Sequence, residues 1–379
     1  MIGDRKERVF SYHLSPITYH QQRMRIKDVA REAEVSTATV SHVINNTRFV
    51  SDEVRARVLE AIERCGYYPN AQARSLASGR SHTLGLVVSD IMNPFFPELV
   101  KSIEMAAYER GYDVVLANTN YDAERTSNYV RRIIERKVAG VALMTSELDM
   151  ALIDELARRD VCVVFLDLGS AGEGMSNLVV NYAVGVRESI QHLVSLGHQQ
   201  IAYISGPDRL RSAAKRREAF SDCMTHFFPD THPLIYKGNF KIEGGRRAAY
   251  EMMMRGRLPT AVVAANDLTA LGAMQEFRAA GLKIPQDISI IGFDDIAFAS
   301  LTDPPLTTVC LPRTELGRRA VEALMTTIEH PDRQGVEIHI PTYLVLRGST
   351  APARTEASSS KKRSRKPKKD GSKAGHKKR

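Results

Sequence analysis

The stretch from Ile26 to Leu76 constrains this chain more than any other. Its first half carries two short helical patterns joined by a tight turn. Ile26, Val29, Ala30 and Ala33 fall on one helical face, and Ser36 is placed to cap a second helix whose apolar stripe is Val40, Val43 and Ile44. The residues facing outward at the start of that helix, Thr37, Ala38, Ser41 and His42, are short and present little bulk. This is the layout of a helix-turn-helix, in which the second helix enters a major groove and reads base edges with its N-terminal residues. A third helix follows, with Ser51 as cap, Asp52 and Glu53 at its positive end, Val54, Val58, Leu59 and Ile62 as the buried face, and Gly66 as the stop.

From Thr83 onward, strand and helix signals alternate. Leu84–Val88, Val114–Leu116, Val141–Met144, Val161–Leu166, Ile201–Ile204, Ala261–Ala264 and Ile288–Ile291 are short apolar runs separated by helix-length segments. Continuous apolar strands between helices imply parallel sheets covered on both faces. So many units exceed one comfortable sheet, which predicts two α/β lobes.

A chain of 379 residues is too long for one ordinary core. A hydrophobic fraction of 43% with 26% charged residues places it among water-soluble globular chains rather than disordered ones. The net charge of +9 misleads as a global number. Residues 351–379 carry twelve Lys/Arg against two Asp/Glu, a net +10, which leaves −1 for residues 1–350. The excess is a tail, not a basic fold. Cys65, Cys162, Cys223 and Cys310 are far apart and form no metal-ligand spacing, so reduced thiols in a cytoplasmic chain are the simple reading. No run of about 18 apolar residues exists to span a membrane, and Arg5, Lys6, Glu7 and Arg8 interrupt any secretory signal.

The run Val35-Ser36-Thr37-Ala38-Thr39-Val40-Ser41-His42-Val43-Ile44-Asn45 resembles the recognition-helix motif of the lactose/galactose repressor family of bacterial regulators. Its continuation through Asn46-Thr47-Arg48-Phe49-Val50 is similar to the purine- and ribose-repressor branch, and the resemblance runs from about Arg25 to Gly348. The fold it implies is an N-terminal all-α helix-turn-helix domain followed by a two-lobed, periplasmic-binding-protein-like α/β domain with parallel sheets. The expected organisation is an extension over 1–23, disordered or ahead of the native start at Met24, then the helix-turn-helix domain over 24–67. A hinge helix and linker over 68–81 lead to the two-lobed effector-binding and dimerisation domain over 82–348, and a disordered basic tail occupies 349–379. Lobe one is expected over 82–181 plus 311–340, and lobe two over 182–310 plus 341–348.

By resemblance, Thr37, Ala38, Thr39, Ser41, His42 and Asn45 contact double-stranded DNA, joined by Asn70, Ala73 and Leu76 of the hinge. The hinge stretch has helical spacing but too little apolar area to fold alone. Leu76 stands where the family wedges a leucine between base steps of the minor groove. Two departures mark this end. Glu34 occupies a turn position that commonly holds glycine, at a cost on the order of 1 kcal/mol if its φ is positive. His42 stands where many members have arginine, so half-site preferences like those of the purine and ribose branch are expected.

Ligands of two-lobed α/β folds bind beyond the carboxyl ends of the strands. Asp167, Asn266-Asp267, Asp294 and the segment Asn93-Pro94-Phe95-Phe96 all follow predicted strands. Acceptors beside aromatic faces suit a sugar, whose hydroxyls donate and whose C–H face stacks. The resemblance implies effector contacts from Phe95, Phe96, Asp167, Arg216, Phe240, Asn266 and Asp294. Ala219 stands where the motif around Arg216 has glycine, and Arg217 competes for the same role. Purine-binding members add an arginine a few residues earlier, where this chain has Leu210 flanked by Arg209 and Arg211, so a sugar is favoured over a purine.

Each reading has a plainer rival. Phe95, Phe96 and Leu76 can be packing residues, Asp167 and Asp294 can cap helices, and Arg216 can be a solvated charge. His192 and His198 lack partners for a metal, and no cofactor is implied. The family reading gives a repressor acting as a homodimer on a pseudo-palindromic operator under a small-molecule effector. The purine-responsive repressor is the alternative, with a periplasmic solute-binding protein and a sugar-active enzyme behind it. No P-loop, dinucleotide fingerprint or nucleophile elbow favours an enzyme. The Lys-rich tail adds non-specific DNA affinity through counterion release. Deleting 352–379 is expected to weaken binding to random DNA and flatten its salt dependence, and an unchanged slope refutes this role.

Overall fold

The computed structural model describes residues 24–68, 81–145, 147–148, 150–159, 161–167, 171–256 and 258–354. The extension over 1–23, the hinge residues Asn70, Ala73 and Leu76, and the tail from 355 onward lie outside them. The chain divides into two compact units between Ser81 and His82.

The first unit holds α1 (Ile26–Glu32), α2 (Thr37–Asn45) and α3 (Asp52–Cys65) around a small core in which Val29, Val40, Val58 and Ala61 are fully buried. The turn from α1 to α2 passes through Glu34 at φ 53°, the left-handed conformation anticipated for this glycine-favouring position. Ser36 closes the turn, its Oγ accepting from Thr39 N at 3.0 Å. At the other end of α3, Gly66 stops the helix at φ 56°. Two expectations fail on α3. Leu59 is 52% exposed because it lies about 100° around the helix from Val58, so the buried face runs through Val54, Val58, Ala61 and Ile62. Ser51 precedes the helix, but its hydroxyl makes no capping bond.

The second unit contains two six-stranded sheets. Lobe one uses β1 (Thr83–Val88), β2 (Asp113–Asn118), β3 (Gly140–Met144), β4 (Val163–Leu166), β5 (Met175–Val180) and β11 (Glu337–Ile340), in the order β11-β5-β4-β3-β1-β2. All its pairings are parallel. Its helices are α4 (Phe95–Tyr108), α5 (Ala123–Glu135), α6 (Met150–Arg158) and α11 (Arg313–Glu329). Lobe two uses β6 (Ile201–Ile204), β7 (Leu234–Tyr236), β8 (Ala261–Ala264), β9 (Ser289–Asp294), β10 (Thr307–Cys310) and β12 (Tyr343–Val345), in the order β12-β10-β9-β8-β6-β7. Its helices are α7 (Tyr182–Ser195), α8 (Arg211–Phe227), α9 (Ile242–Met254) and α10 (Asp267–Ala279). β12 runs antiparallel to β10, so this sheet is not wholly parallel.

The chain crosses between the lobes at 181, at 311–312 and at 341–342, and two of these crossings are bonded to each other. Asn181 N donates to Ile340 O at 3.0 Å, and the Thr342 hydroxyl donates to Asn181 O at 2.7 Å while accepting from Gly185 N at 3.0 Å.

The tail begins later than its composition suggests. Residues 349–354, rich in small and polar side chains, are fastened to lobe two rather than disordered. Ser349 is fully buried, with its hydroxyl accepting from Thr307 N at 2.8 Å and donating to Ile290 O at 2.5 Å. Ala353 N donates to Leu196 O at 2.8 Å. His198, nearly fully buried, bridges Thr260 Oγ1 at 2.9 Å and Ala351 O at 3.0 Å. A tail deletion that spares the fold therefore starts after Arg354.

Burial lowers the His198 pKa below its ordinary value of 6.5, opposed by the Ala351 carbonyl. The unfolded chain then takes the proton more readily, so the contribution of His198 is complete above about pH 6.5 and is lost as pH falls through the folded value. The melting temperature is expected to drop between about pH 7.5 and about pH 5.5, and His198→Gln is expected to shrink that drop. An identical drop in the variant would remove His198 as its source.

Candidate functional site

The cleft between the lobes lies beyond the carboxyl ends of both sheets. In lobe one the strand order reverses between β1 and β3, and Ser89 and Thr145 follow those strands. In lobe two it reverses between β6 and β8, and Gly206 and Asn266 follow those. Such switch points open a crevice because the flanking connections leave on opposite faces of the sheet.

All seven expected effector residues line this cleft: Phe95, Phe96, Asp167, Arg216, Phe240, Asn266 and Asp294. Phe95 and Phe96 begin α4, edge to face with ring centroids 5.2 Å apart. The Asn93 side chain accepts from Phe95 N at 3.1 Å and fixes the start of that helix. Across the cleft, Phe240 sits at φ 63°, and its ring lies against Gly206, where a Cβ would overlap it. Asn266 caps α10 by accepting from Thr269 N at 3.0 Å, and its amide donates to Phe240 O at 2.9 Å. The capping role considered for Asp167 and Asp294 thus falls to Asn266.

The floor is a buried ion pair. Arg216, on α8, is 6% exposed and places Nη2 3.1 Å from Asp294 Oδ1, while Nη1 donates to Ala265 O. Its guanidinium lies 4.0 Å from the Phe293 ring centroid and 5.0 Å from that of Tyr182. Burial raises the Asp294 carboxyl above the usual carboxylate range, against the pull of Arg216 and Arg313. Burial also disfavours the Arg216 charge, but Asp294, Tyr182 and Tyr203 together outweigh it and hold the guanidinium pKa above its ordinary value. Arg216 Nε is buried and has no hydrogen-bond partner among the described residues. The rival Arg217 instead pairs with Asp208 at 2.6 Å, away from the cleft lining.

Asp167 sits at φ 61° and already accepts from Val180 N at 3.1 Å, Tyr182 OH at 2.7 Å and Lys215 Nζ at 2.9 Å. A carboxylate accepts about four hydrogen bonds, so one position remains for a ligand. Tyr182, Tyr121, Ser89, Thr145 and Ser212 also line the cleft, and the sequence reading missed them because their spacing follows no motif. Also missed was Arg313 of α11. Its Nε binds Glu98 at 2.8 Å, and its Nη groups donate to the carbonyls of Asp294 and Asp295. This clamp holds Asp294 at φ 109°. Leu210 is 1% exposed and does not line the cleft, and Arg209 donates to Tyr121 O at 2.7 Å.

On the helix-turn-helix, Thr37 and Ala38 are exposed at the start of α2, with Thr39, Ser41, His42 and Asn45 half-buried behind them. Asn45 donates to Ser41 Oγ at 3.2 Å, and His42 Nδ1 lies 2.9 Å from Thr47 Oγ1. Among the described residues no group of His, Cys, Asp and Glu is placed to hold a metal, and no helix is long and apolar enough to cross a membrane.

An all-α headpiece followed by a doubly wound, two-lobed cleft domain defines a ligand-gated DNA-binding architecture. Residues 25–70 match the model of bacterial regulatory proteins of the lacI family, and residues 190–350 match that of the periplasmic binding protein-like domain. The chain is 37% identical over 328 residues to the ribose operon repressor of Escherichia coli (strain K12), covering 86% of this chain and 99% of that protein. A lac repressor dimer bound to operator and the anti-inducer ONPF superposes with TM-score 0.78 at 29% identity, over 87% of this chain and all of that one. A LacI family regulator from Enterococcus faecium with bound ribose gives TM-score 0.66 at 30% identity, over 72% of this chain and all of that one. The chain belongs to the lacI family of bacterial regulatory proteins. It is a DNA-binding repressor with a small-molecule effector domain.

Removing one partner of a buried ion pair costs about 3–5 kcal/mol, because the remaining charge stays desolvated. Asp294→Ala is expected to lose stability on that scale in chemical denaturation, and a loss below about 1 kcal/mol would show that Arg216 finds water or another acceptor.

Proposed function

We propose that this protein is a cytoplasmic transcriptional repressor that binds a pseudo-palindromic operator as a homodimer and responds to a sugar held by the seven cleft residues. The unpartnered Nε of Arg216 carries this reading. A buried donor left unsatisfied costs about 1–3 kcal/mol, and a sugar hydroxyl or ring oxygen supplies the acceptor. Phe95, Phe96 and Phe240 offer rings for the sugar's C–H face, and Asp294 and the free position on Asp167 accept hydroxyl hydrogens. The absence of an arginine at Leu210 disfavours a purine. The ribose bound to the E. faecium regulator and the operator bound to the lac repressor dimer support the same reading.

On the DNA side, Thr37, Ala38, Thr39, Ser41, His42 and Asn45 contact one half-site, and two-fold protein symmetry matches two-fold operator symmetry. Asn70, Ala73 and Leu76 complete the contact at the operator centre. The effector shifts the population between DNA-competent and DNA-released states through differential affinity. The chain is not an enzyme on this reading, since Asp167 and Asp294 are both tied in ion pairs rather than set beside a nucleophile.

Selection of duplexes by the full chain is expected to enrich a sequence with two-fold symmetry, and enrichment without symmetry would overturn the dimeric operator reading. A thermal-shift screen against D-ribose, D-xylose, D-glucose, D-galactose, hypoxanthine and guanine is expected to raise the melting temperature with a sugar. A rise with a purine alone would overturn the sugar assignment.

A further inference from the structure

The polar wall of lobe one is built on a buried carboxylate outside the seven cleft residues. Ser89 and Thr145 line the cleft at the strand switch point and are 2% and 3% exposed. Glu147, 7% exposed and not part of the lining, sits behind them. Ser89 Oγ lies 3.1 Å from both Glu147 Oε2 and Thr145 Oγ1, and the Thr145 hydroxyl donates to the same Glu147 oxygen. A carboxylate only accepts, and each hydroxyl has a single hydrogen. Both hydrogens are therefore committed within the cluster, and the oxygens turn only lone pairs toward the cleft. Among the described lining residues the one cation is Arg216, already paired with Asp294, and nearby Lys215 is paired with Asp167.

We infer that Ser89, Thr145 and Glu147 fix this wall as a hydrogen-bond acceptor, so that the cleft selects an unphosphorylated, hydroxyl-rich ligand and rejects the corresponding sugar phosphate. The inference rests on the sugar-cleft reading above and sharpens it. Ser89 and Thr145 contact the ligand, and Glu147 is a positioning residue acting through them. A phosphate would enter beside the carboxylates of Asp167 and Asp294, where the charge of Arg216 is already balanced by Asp294, a like-charge penalty that works as specificity. In Glu147→Gln the side-chain amide can donate to one of the hydroxyls, which frees its hydrogen to turn into the cleft and compete with the sugar's own.

The test uses calorimetric titration of the full chain with whichever of D-ribose, D-xylose, D-glucose and D-galactose binds most tightly, its terminal phosphate ester and its monodeoxy derivatives. Wild type is expected to bind the free sugar at least about ten-fold more tightly than the phosphate, and Glu147→Gln to lose about ten-fold for the free sugar. One monodeoxy derivative, lacking the hydroxyl that meets this wall, is expected to bind wild type and variant within about two-fold of each other. That convergence is a readout a merely structural role would not produce. A variant that loses all derivatives equally overturns the positioning role. Tighter binding of the phosphate by wild type overturns the selectivity, and needs no variant to fold. Either outcome leaves the sugar-responsive reading standing, whereas failure of all four sugars to bind overturns both.

Discussion

The Arg216–Asp294 pair is the constraint around which the cleft is organised. Two charges taken out of water are tolerated only when geometry and further hydrogen bonds compensate their desolvation. Here the compensation comes from several elements at once: the Ala265 carbonyl after β8, the ring of Phe293 on β9, and the Arg313 clamp from α11. Because those elements converge on one ion pair and the backbone beside it, the ends of β8 and β9 and the N-terminus of α11 are fixed together. The left-handed backbone at Asp294 follows from the same arrangement. A non-glycine residue at φ 109° is strained, and the Arg313 donors to the carbonyls of Asp294 and Asp295 offset that strain.

Polar links join the two walls of the cleft. Lys215 reaches Asp167, Arg209 reaches the Tyr121 carbonyl, and Arg313 reaches the carbonyls of Asp294 and Asp295. Partly exposed contacts of this kind are weak individually, because water competes for both partners. The crossings, by contrast, are tied to each other, Asn181 by its N–H to the Ile340 carbonyl and by its own carbonyl to the Thr342 hydroxyl, which keeps the lobes in register. Firm crossings with weak cross-cleft links are the mechanical condition for lobes that move as bodies about a fixed axis.

Much of this was legible in the sequence, and what was not has a physical reason. The apolar runs at 84–88, 141–144, 201–204 and 261–264 announce central strands because both faces of those strands are covered. β5 was missed because Ser176 and Asn177 interrupt its apolar run. Both are nearly fully buried, and Ser176 Oγ accepts from Val336 N beside β11, a long-range partner that no local pattern reports. β10 (Thr307–Cys310) and β11 (Glu337–Ile340) were missed because polar residues interrupt them, and β7 and β12 because they are three-residue strands at the edges of their sheet. In the site, Asp167, Asn266 and Asp294 follow strands and were visible from that rule alone. Arg216 needed the family motif, since nothing in a helical arginine announces that it points inward. Tyr121, Arg313 and Glu147 act through distant backbone or hydroxyl groups, and their roles exist only once the lobes are assembled.

The same logic bears on how a ligand acts here. An effector shifts an equilibrium only by its differential affinity for two states, so contacts confined to one lobe would bind without switching. The cleft residues are divided between walls. Phe95, Phe96, Ser89, Thr145 and Asp167 come from lobe one, and Arg216, Phe240, Asn266 and Asp294 from lobe two. The unpartnered donor lies on lobe two and the acceptor wall on lobe one. A ligand that satisfies both at once is bound fully only when the lobes stand at the spacing its own size sets. A ring too small to touch both walls would leave either Arg216 Nε or the Ser89–Thr145 oxygens unmet. On the proposed sugar reading, ligand size as well as ligand polarity decides whether binding favours one lobe spacing over another.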